Sequence, residues 1–517
     1  MRSAAPGHLL VLIGLWCAGF LMSAQASPNI VTDVAAGLVF EGCEAALSDE
    51  DFLCARYQTG NGHALRVVVV NADSVQALSA SHPILFVHGG PGYPFNLNPT
   101  GARFWQGWLR ERGIQRPVVL FDQRGTGQSR PAYQCAEYQR AGARALTRNL
   151  TAAEEYDVWW QATTRCRERI RQQGFRLDDF SSAANAADAL GIMQSLEAER
   201  WDLLAMSYGT RVAMQMLQSP APGLDAVVLD SVLPQHRSPL DELPWLLAGT
   251  LGKIFAACRD DEACAAMLPA PEQQLFALLA RLYREPVVVP ARGGDGKPLE
   301  VVVHDRRLLE GLFHGAYSMS LVQRIPTILK RAGEGDSAAL APLMHNLVSW
   351  IFDPGFNPPV YYAIACSERS ALEGGRRFAA GLRAYPAYAP YIRLAREYDL
   401  CRAWDIPPAG DAAPLQVKWT GPVLLLSGGF DPVTPSIWAA EFANQLETAS
   451  GDARKGGESR VSHYIGENQS HIVMESDPCA GTWVAEFLDN HRHSGLPVCA
   501  STQPGAVFDA PTELSSD

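Results

Sequence analysis

Leu203-Leu204-Ala205-Met206-Ser207-Tyr208-Gly209-Thr210 is an apolar, strand-like run that stops at a serine, and a small residue and a helical pattern follow at once. Small residues two before and two after a serine mark the nucleophile elbow, G-x-S-x-G, a sharp strand-to-helix turn that lifts the hydroxyl above a sheet. The first of them here is Ala205 instead of glycine, one methyl more. Ser-x-Gly alone is also what an ordinary helix cap looks like. The strand before it and the helix after it turn the reading toward an elbow with Ser207 as nucleophile.

The flanking sequence repeats the same alternation. Strands are expected at 64–70, 84–87, 118–121, 201–205 and 226–229, and helices at 183–196 and 209–218. Short β-branched runs between helical patterns imply a mainly parallel sheet covered by helices. After Pro234 the alternation stops, and 235–412 reads as helix-rich, with clusters such as Pro358-Pro359-Val360-Tyr361-Tyr362. It resumes with strands at 422–426 and 460–465 and helices at 437–446 and 482–490. The expected architecture is therefore α/β, of the α/β-hydrolase type, with a large helical cap inserted. Residues 1–26 form a signal segment, 27–234 the first part of the core, 235–412 the cap, and 413–517 the second part with a C-terminal tail.

Three more positions complete a reaction centre. Asp431 lies in the loop after Leu424-Leu425-Leu426, and His471 lies beyond the next strand, so the chain order is Ser, Asp, His, as this fold requires. His471 would take the proton of Ser207, and Asp431 would hold the imidazole tautomer. His88-Gly89-Gly90-Pro91-Gly92 follows a strand directly. Its glycines can turn backbone N–H groups toward a developing oxyanion, and the N–H groups of Gly90 and Tyr208 are the expected donors. His88 reads as a structural residue of that turn.

Composition narrows the partners. A net charge of −12 with no dense basic run argues against a nucleic-acid groove and leaves room for an acidic pocket that takes a cationic group. The first 26 residues carry Arg2, an apolar run from Leu9 to Met22 and Ala24-Gln25-Ala26, the pattern of a cleaved export signal. No stable membrane insertion is expected after cleavage. The remaining cysteines fall in close sequential pairs: Cys43 with Cys54, Cys135 with Cys166, Cys258 with Cys264, Cys366 with Cys401, and Cys479 with Cys499. They read as five local disulfides formed in an oxidising compartment. No CxxC pair suggests a zinc site, and no histidine sits at ligand spacing from a cysteine.

His88 to Gly92, Asp122-Gln123-Arg124-Gly125-Thr126-Gly127-Gln128-Ser129 and Ser207-Tyr208-Gly209-Thr210 resemble the prolyl aminopeptidase branch of the α/β-hydrolases. The chain is most similar to the secreted bacterial tripeptidyl aminopeptidases, the TAP-like proteins. The resemblance implies a periplasmic or extracellular serine peptidase that releases residues or short peptides from free N-termini through an acyl-enzyme, without metal or cofactor. A carboxylesterase or amidase using the same triad is the alternative. It also implies acidic cap residues for the substrate ammonium group. Glu368, in Ala365-Cys366-Ser367-Glu368, is the expected partner, with Asp241 and Glu242 as further candidates. Asp122 and Arg124 are expected to brace the loops behind the oxyanion donors.

Overall fold

The computed structural model describes residues 37–47, 51–78, 80–292, 296, 298–369, 371–392, 396–406, 416–449, 460–491 and 508. The expected signal segment lies outside these residues. Among the described residues no helix is long and apolar enough to cross a membrane.

Nine strands form the main sheet: β1 (Gly37–Glu41), β2 (Phe52–Gln58), β3 (Ala64–Val70), β4 (Ile84–Val87), β5 (Val118–Phe121), β6 (Trp201–Met206), β7 (Leu224–Asp230), β10 (Val423–Gly428) and β11 (Val461–Gly466). Two more, β8 (Val287–Arg292) and β9 (Pro298–Val303), pair with each other alone. The order across the sheet is β1-β2-β3-β5-β4-β6-β7-β10-β11. From β5 through β11 every neighbour is parallel, whereas β1, β2 and β3 add an antiparallel margin joined to β5. The margin beyond β3 was not apparent in the sequence.

The central strands are buried on both faces, and successive side chains serve opposite cores because a strand alternates with a period of two. Leu203 and Ala205 join the core on one face, and Leu204 and Met206 join the other. β4 does the same, with Leu85 and Val87 on one side and Ile84 and Phe86 on the other. This explains why the strands read as unbroken apolar runs.

Between β7 and β10 the chain leaves the sheet and builds a body with its own apolar core, which includes Leu251, Phe255, Leu279, Leu312, Ile328 and Leu347. The helix Pro239–Asp260 opens it and the helix Arg396–Trp404 lies near its end. The segment is helix-rich, and to its helices it adds the β8–β9 hairpin, where Val289 and Ala291 are buried on one side of β8 and Val288 is exposed on the other.

Disulfides link Cys43 to Cys54, Cys135 to Cys166, Cys258 to Cys264 and Cys366 to Cys401, as the spacing suggested. Cys479 is also disulfide-bonded, and its expected partner Cys499 lies outside the described residues.

Candidate active site

β6 delivers Ser207 at its carboxyl end, with φ 52° and ψ −126°, a backbone region that few non-glycine residues adopt. The turn is held by the Ser207 N–H bond to the Asp230 carbonyl at 2.8 Å. It works only because the helix Tyr208–Met216 starts against β4. A Cβ on Gly209 would lie 2.3 Å from the Val87 carbonyl oxygen, so no side chain fits there. Ala205, in contrast, sits fully buried in the sheet opposite Val87 and its methyl is accommodated.

The loops after β10 and β11 bring the other two residues in. His471 Nε2 lies 3.0 Å from Ser207 Oγ, and His471 Nδ1 lies 2.8 Å from Asp431 Oδ2. With its proton on Nδ1, the imidazole donates to the carboxylate and accepts from the serine hydroxyl. Asp431 is 2% exposed and its other bonds are complete. The N–H groups of Val433 and Thr434 donate to Oδ1 at 2.9 and 2.8 Å, and Thr434 Oγ1 donates to Oδ2 at 2.6 Å. Burial pushes this carboxyl up, but the His471 charge and these hydrogen bonds outweigh it and hold the group below the usual carboxylate range. Burial likewise pulls His471 down, and the Asp431 charge and hydrogen bond outweigh that, so the imidazole is raised.

Asp230, which sequence reasoning missed, holds the base from behind. Its carboxylate accepts the N–H groups of Val473 at 3.0 Å and Met474 at 2.8 Å, and its neighbour Ser231 accepts the Ile472 N–H at 2.9 Å. Three successive residues after His471 are thus fixed to the end of β7. Burial raises the Asp230 carboxyl to about 6, and its charge contributes to the rise of His471.

The 88–92 loop crosses above Ser207: a Cβ on Gly89 would lie 3.1 Å from Ser207 Cβ. Gly90 adopts φ +126°, open only to glycine. The Tyr208 N–H is the first of its helix and has no intrahelical acceptor. Gly90 and Tyr208 both line the cavity together with Ser207 and His471. His88 packs edge-on against Phe95 and Trp105 at 4.7 and 5.5 Å, and desolvation drives its imidazole down to about 4. It is a neutral structural residue, as the sequence suggested. Gln123 Nε2 donates to the His88 carbonyl at 3.0 Å, Asp122 accepts the N–H groups of Asn96, Leu97 and Gln128, and Arg124 pairs with Asp188 through both nitrogens at 2.5 and 2.8 Å. The Asp122 to Ser129 segment therefore braces the loop.

The three acidic residues expected to bind substrate are each engaged within the protein. Glu368 accepts bonds from Ser182 and lies 3.5 Å from Arg211. Asp241 pairs with Arg369 at 3.0 Å, and Glu242 pairs with Arg237 at 3.0 Å and Arg377 at 2.8 Å. None of the three lines the cavity. Their charges are taken up by arginines that folding brings alongside, which the linear sequence does not reveal.

The cavity itself has a volume of about 1790 Å³ and is bounded by the inserted body. Tyr361, Tyr362 and Tyr391 line it, whereas Tyr385 packs on Trp245 and Tyr388 on Phe276. Another carboxylate stands in its wall, that of Asp353. It accepts the Gly355 N–H at 2.7 Å, burial raises its carboxyl, and among the described residues no Lys, Arg or His pairs with it. It belongs to the segment that latches onto the glycine loop, where the Asn357 N–H donates to the Gly92 carbonyl at 2.9 Å.

A family model described as α/β-hydrolase fold matches residues 82–264, which contain the glycine loop and Ser207, and one described as TAP-like protein matches 389–495, which contain Asp431 and His471. The chain has the α/β-hydrolase fold, and its acid and base lie in a TAP-like segment. It is similar to serine protease Hip1 of Mycobacterium tuberculosis, at 21% identity over 393 residues that cover 72% of each chain. Among solved structures it is similar to an α/β-hydrolase fold protein from Chitinophaga pinensis at a TM-score of 0.36 and 12% identity, covering 89% of this chain and 99% of that one. A proline iminopeptidase-related protein from Thermus thermophilus matches at a TM-score of 0.34 and 16% identity, covering 88% and 98%.

Proposed function

We propose that this α/β-hydrolase is an exported serine peptidase that releases residues or short peptides from free amino termini. The observation that carries the reading is Asp353, a partly desolvated carboxylate without a cationic partner among the described residues, in the wall of the cavity that holds Ser207. An ammonium group there would form a charge-assisted pair and relieve the burial of the carboxylate. A cavity of about 1790 Å³ exceeds what a small ester needs and leaves room for several residues. The similarity to a serine protease points the same way. Four disulfides among the described residues support assembly in an oxidising compartment.

The reaction follows from the geometry. Ser207 Oγ attacks the scissile carbonyl as its proton passes to His471 Nε2, 3.0 Å away. Asp431 stabilises the imidazolium that results. The N–H groups of Gly90 and Tyr208 receive the oxyanion, each contributing about 3 kcal/mol in such a role. His471 then gives its proton to the leaving amine, and an acyl-enzyme on Ser207 remains. Water attacks that ester with His471 as base, and release of the acid restores the serine.

A matched pair of peptides, one with a free amino terminus and one acetylated, tests the proposal. The free peptide should turn over faster by at least about tenfold in kcat/KM, a difference of roughly 1.4 kcal/mol. Equal rates, or hydrolysis of small esters alone, would refute an aminopeptidase and leave a general hydrolase.

A further inference from the structure

At the end of the sheet opposite the triad, four charged or titratable side chains converge. His82 precedes β4, Asp202 is the second residue of β6, Asp225 is the second of β7, and His491 caps the last described helix, Pro478–Asn490. Asp202 and Ser207 are five residues apart on one extended strand, about 16 Å at the usual rise, so this cluster is remote from the reaction.

Its contacts leave polar atoms unsatisfied. Asp202 is fully buried, and Arg116 donates to its Oδ2 at 2.6 Å. Asp202 Oδ1 and His82 Nε2 are both buried without a hydrogen-bond partner. Neighbours are close nevertheless: His491 Nε2 lies 3.1 Å from Asp202 Oδ1, and His82 Nε2 lies 3.3 Å from Asp202 Oδ2 and 3.5 Å from Asp225 Oδ2. These three contacts lack hydrogen-bond alignment, and the bond His491 Nε2 does make is to the other carboxylate oxygen, Asp202 Oδ2, at 3.3 Å. A buried acceptor left without a partner is costly, and a native structure rarely leaves one unexplained.

One ligand atom from each of His82, Asp202 and His491 can be chosen so that all lie within 4.8 Å of one another. Both histidines also sit in the left-handed backbone region, each at φ 52°.

We propose that His82, Asp202 and His491 form a structural site for a divalent transition-metal cation of the zinc type. Two imidazole nitrogens and one carboxylate oxygen are a ligand set that zinc accepts, with water completing the shell. The metal would take the orphan lone pairs of Asp202 Oδ1 and His82 Nε2. Arg116 would keep its bond to Oδ2, in the way that metal-bound carboxylates are commonly held by an outer partner. Arg116 also donates to the Leu488 and His82 carbonyls, so the site would pin the last described helix to the amino ends of β4 and β6. Among the described residues the other cluster of ligand types, Cys135, Glu137 and Cys166, offers no thiolate because its cysteines are bonded to each other.

The test is calorimetric titration of the chelator-treated, purified chain with Zn²⁺, and with Mg²⁺ as an oxygen-preferring control. One equivalent of zinc should bind, magnesium should not, and the melting temperature should rise with zinc concentration. His82→Ala/His491→Ala should lose that equivalent and the thermal shift while hydrolysing a small ester at the normal rate. His491→Ala alone, at the end of the helix, is the check if the double variant folds poorly, and it should weaken binding at least about tenfold. No zinc uptake by the folded wild type overturns the site and leaves an ion-pair cluster held by Arg116. Undiminished uptake by a folded variant overturns it as well.

Discussion

Glu368 closes on Ser182, accepting its N–H at 2.5 Å and its hydroxyl at 2.8 Å. Ser182 Oγ also bonds the Tyr208 hydroxyl at 3.1 Å, so the carboxylate supports the residue that follows the nucleophile. Glu368→Gln exchanges a charged acceptor for an amide, and hydrogen bonds to charged groups are worth about 1.5–3 kcal/mol. Thermal stability should fall, and kcat should fall by the same factor on a free-amine peptide and a small ester. A loss confined to the peptide would show that the carboxylate meets substrate after all.

Asp353→Asn keeps the shape of the side chain and removes its charge. We expect kcat/KM on free-amine peptides to drop at least about tenfold, or roughly 1.4 kcal/mol, with acetylated peptides and esters unaffected. Steady-state kinetics on the three substrates reads this directly. Uniform change across them would assign Asp353 to the loop packing around Gly355 instead.

Ser207→Ala and His471→Ala should each reduce kcat by at least about a thousandfold while circular dichroism stays unchanged, since residues acting as a unit fail together. A fluorophosphonate should label Ser207 in the wild type. Normal turnover by either variant would remove the triad as the reaction centre.

The pH dependence has a definite sign. His471 must be neutral to accept the serine proton, and its pKa lies above the ordinary value near 6.5. On a neutral ester, kcat/KM should therefore rise with pH through an apparent pKa above about 6.5. Asp230→Asn removes a negative charge that favours the imidazolium, so the acid limb should move to lower pH. A shift upward, or no shift, would mean that Asp230 does not act through its charge on His471 and serves only to hold the 473–474 backbone.

The triad could be read from sequence because three constraints coincide there: a serine between strand and helix, the fixed order of acid and base, and loops placed after strands. Asp431 was found through the run Leu424-Leu425-Leu426, yet Thr434, which donates to it, looked like an ordinary loop residue. The arginine partners of the acidic candidates were not legible for a different reason. Whether a carboxylate is free depends on which arginine packs beside it, and Arg211 comes to Glu368 from 157 positions away. Asp353 in Asp353-Pro354-Gly355 reads as a turn former, and it does accept a turn N–H; only the cavity around it suggests more. The β8–β9 hairpin was obscured because Pro290 interrupts a valine run that an outer strand tolerates.

β7 and β10 lie side by side in parallel, Val227 opposite Val423 and Leu229 opposite Leu425, although about 190 residues separate them in the chain. A minimal crossover of about a dozen residues would serve the same pairing. Lengthening it to this extent is about four doublings, and loop closure opposes each by only about 0.6 kcal/mol, roughly 2.4 in all. Loop closure thus sets little limit on the size of the inserted body. What restrains it is contact instead of connectivity: Glu368 and Asn357 fasten it to Ser182 and the glycine loop, and Val360, Ile364 and Trp404 share the core beneath β6.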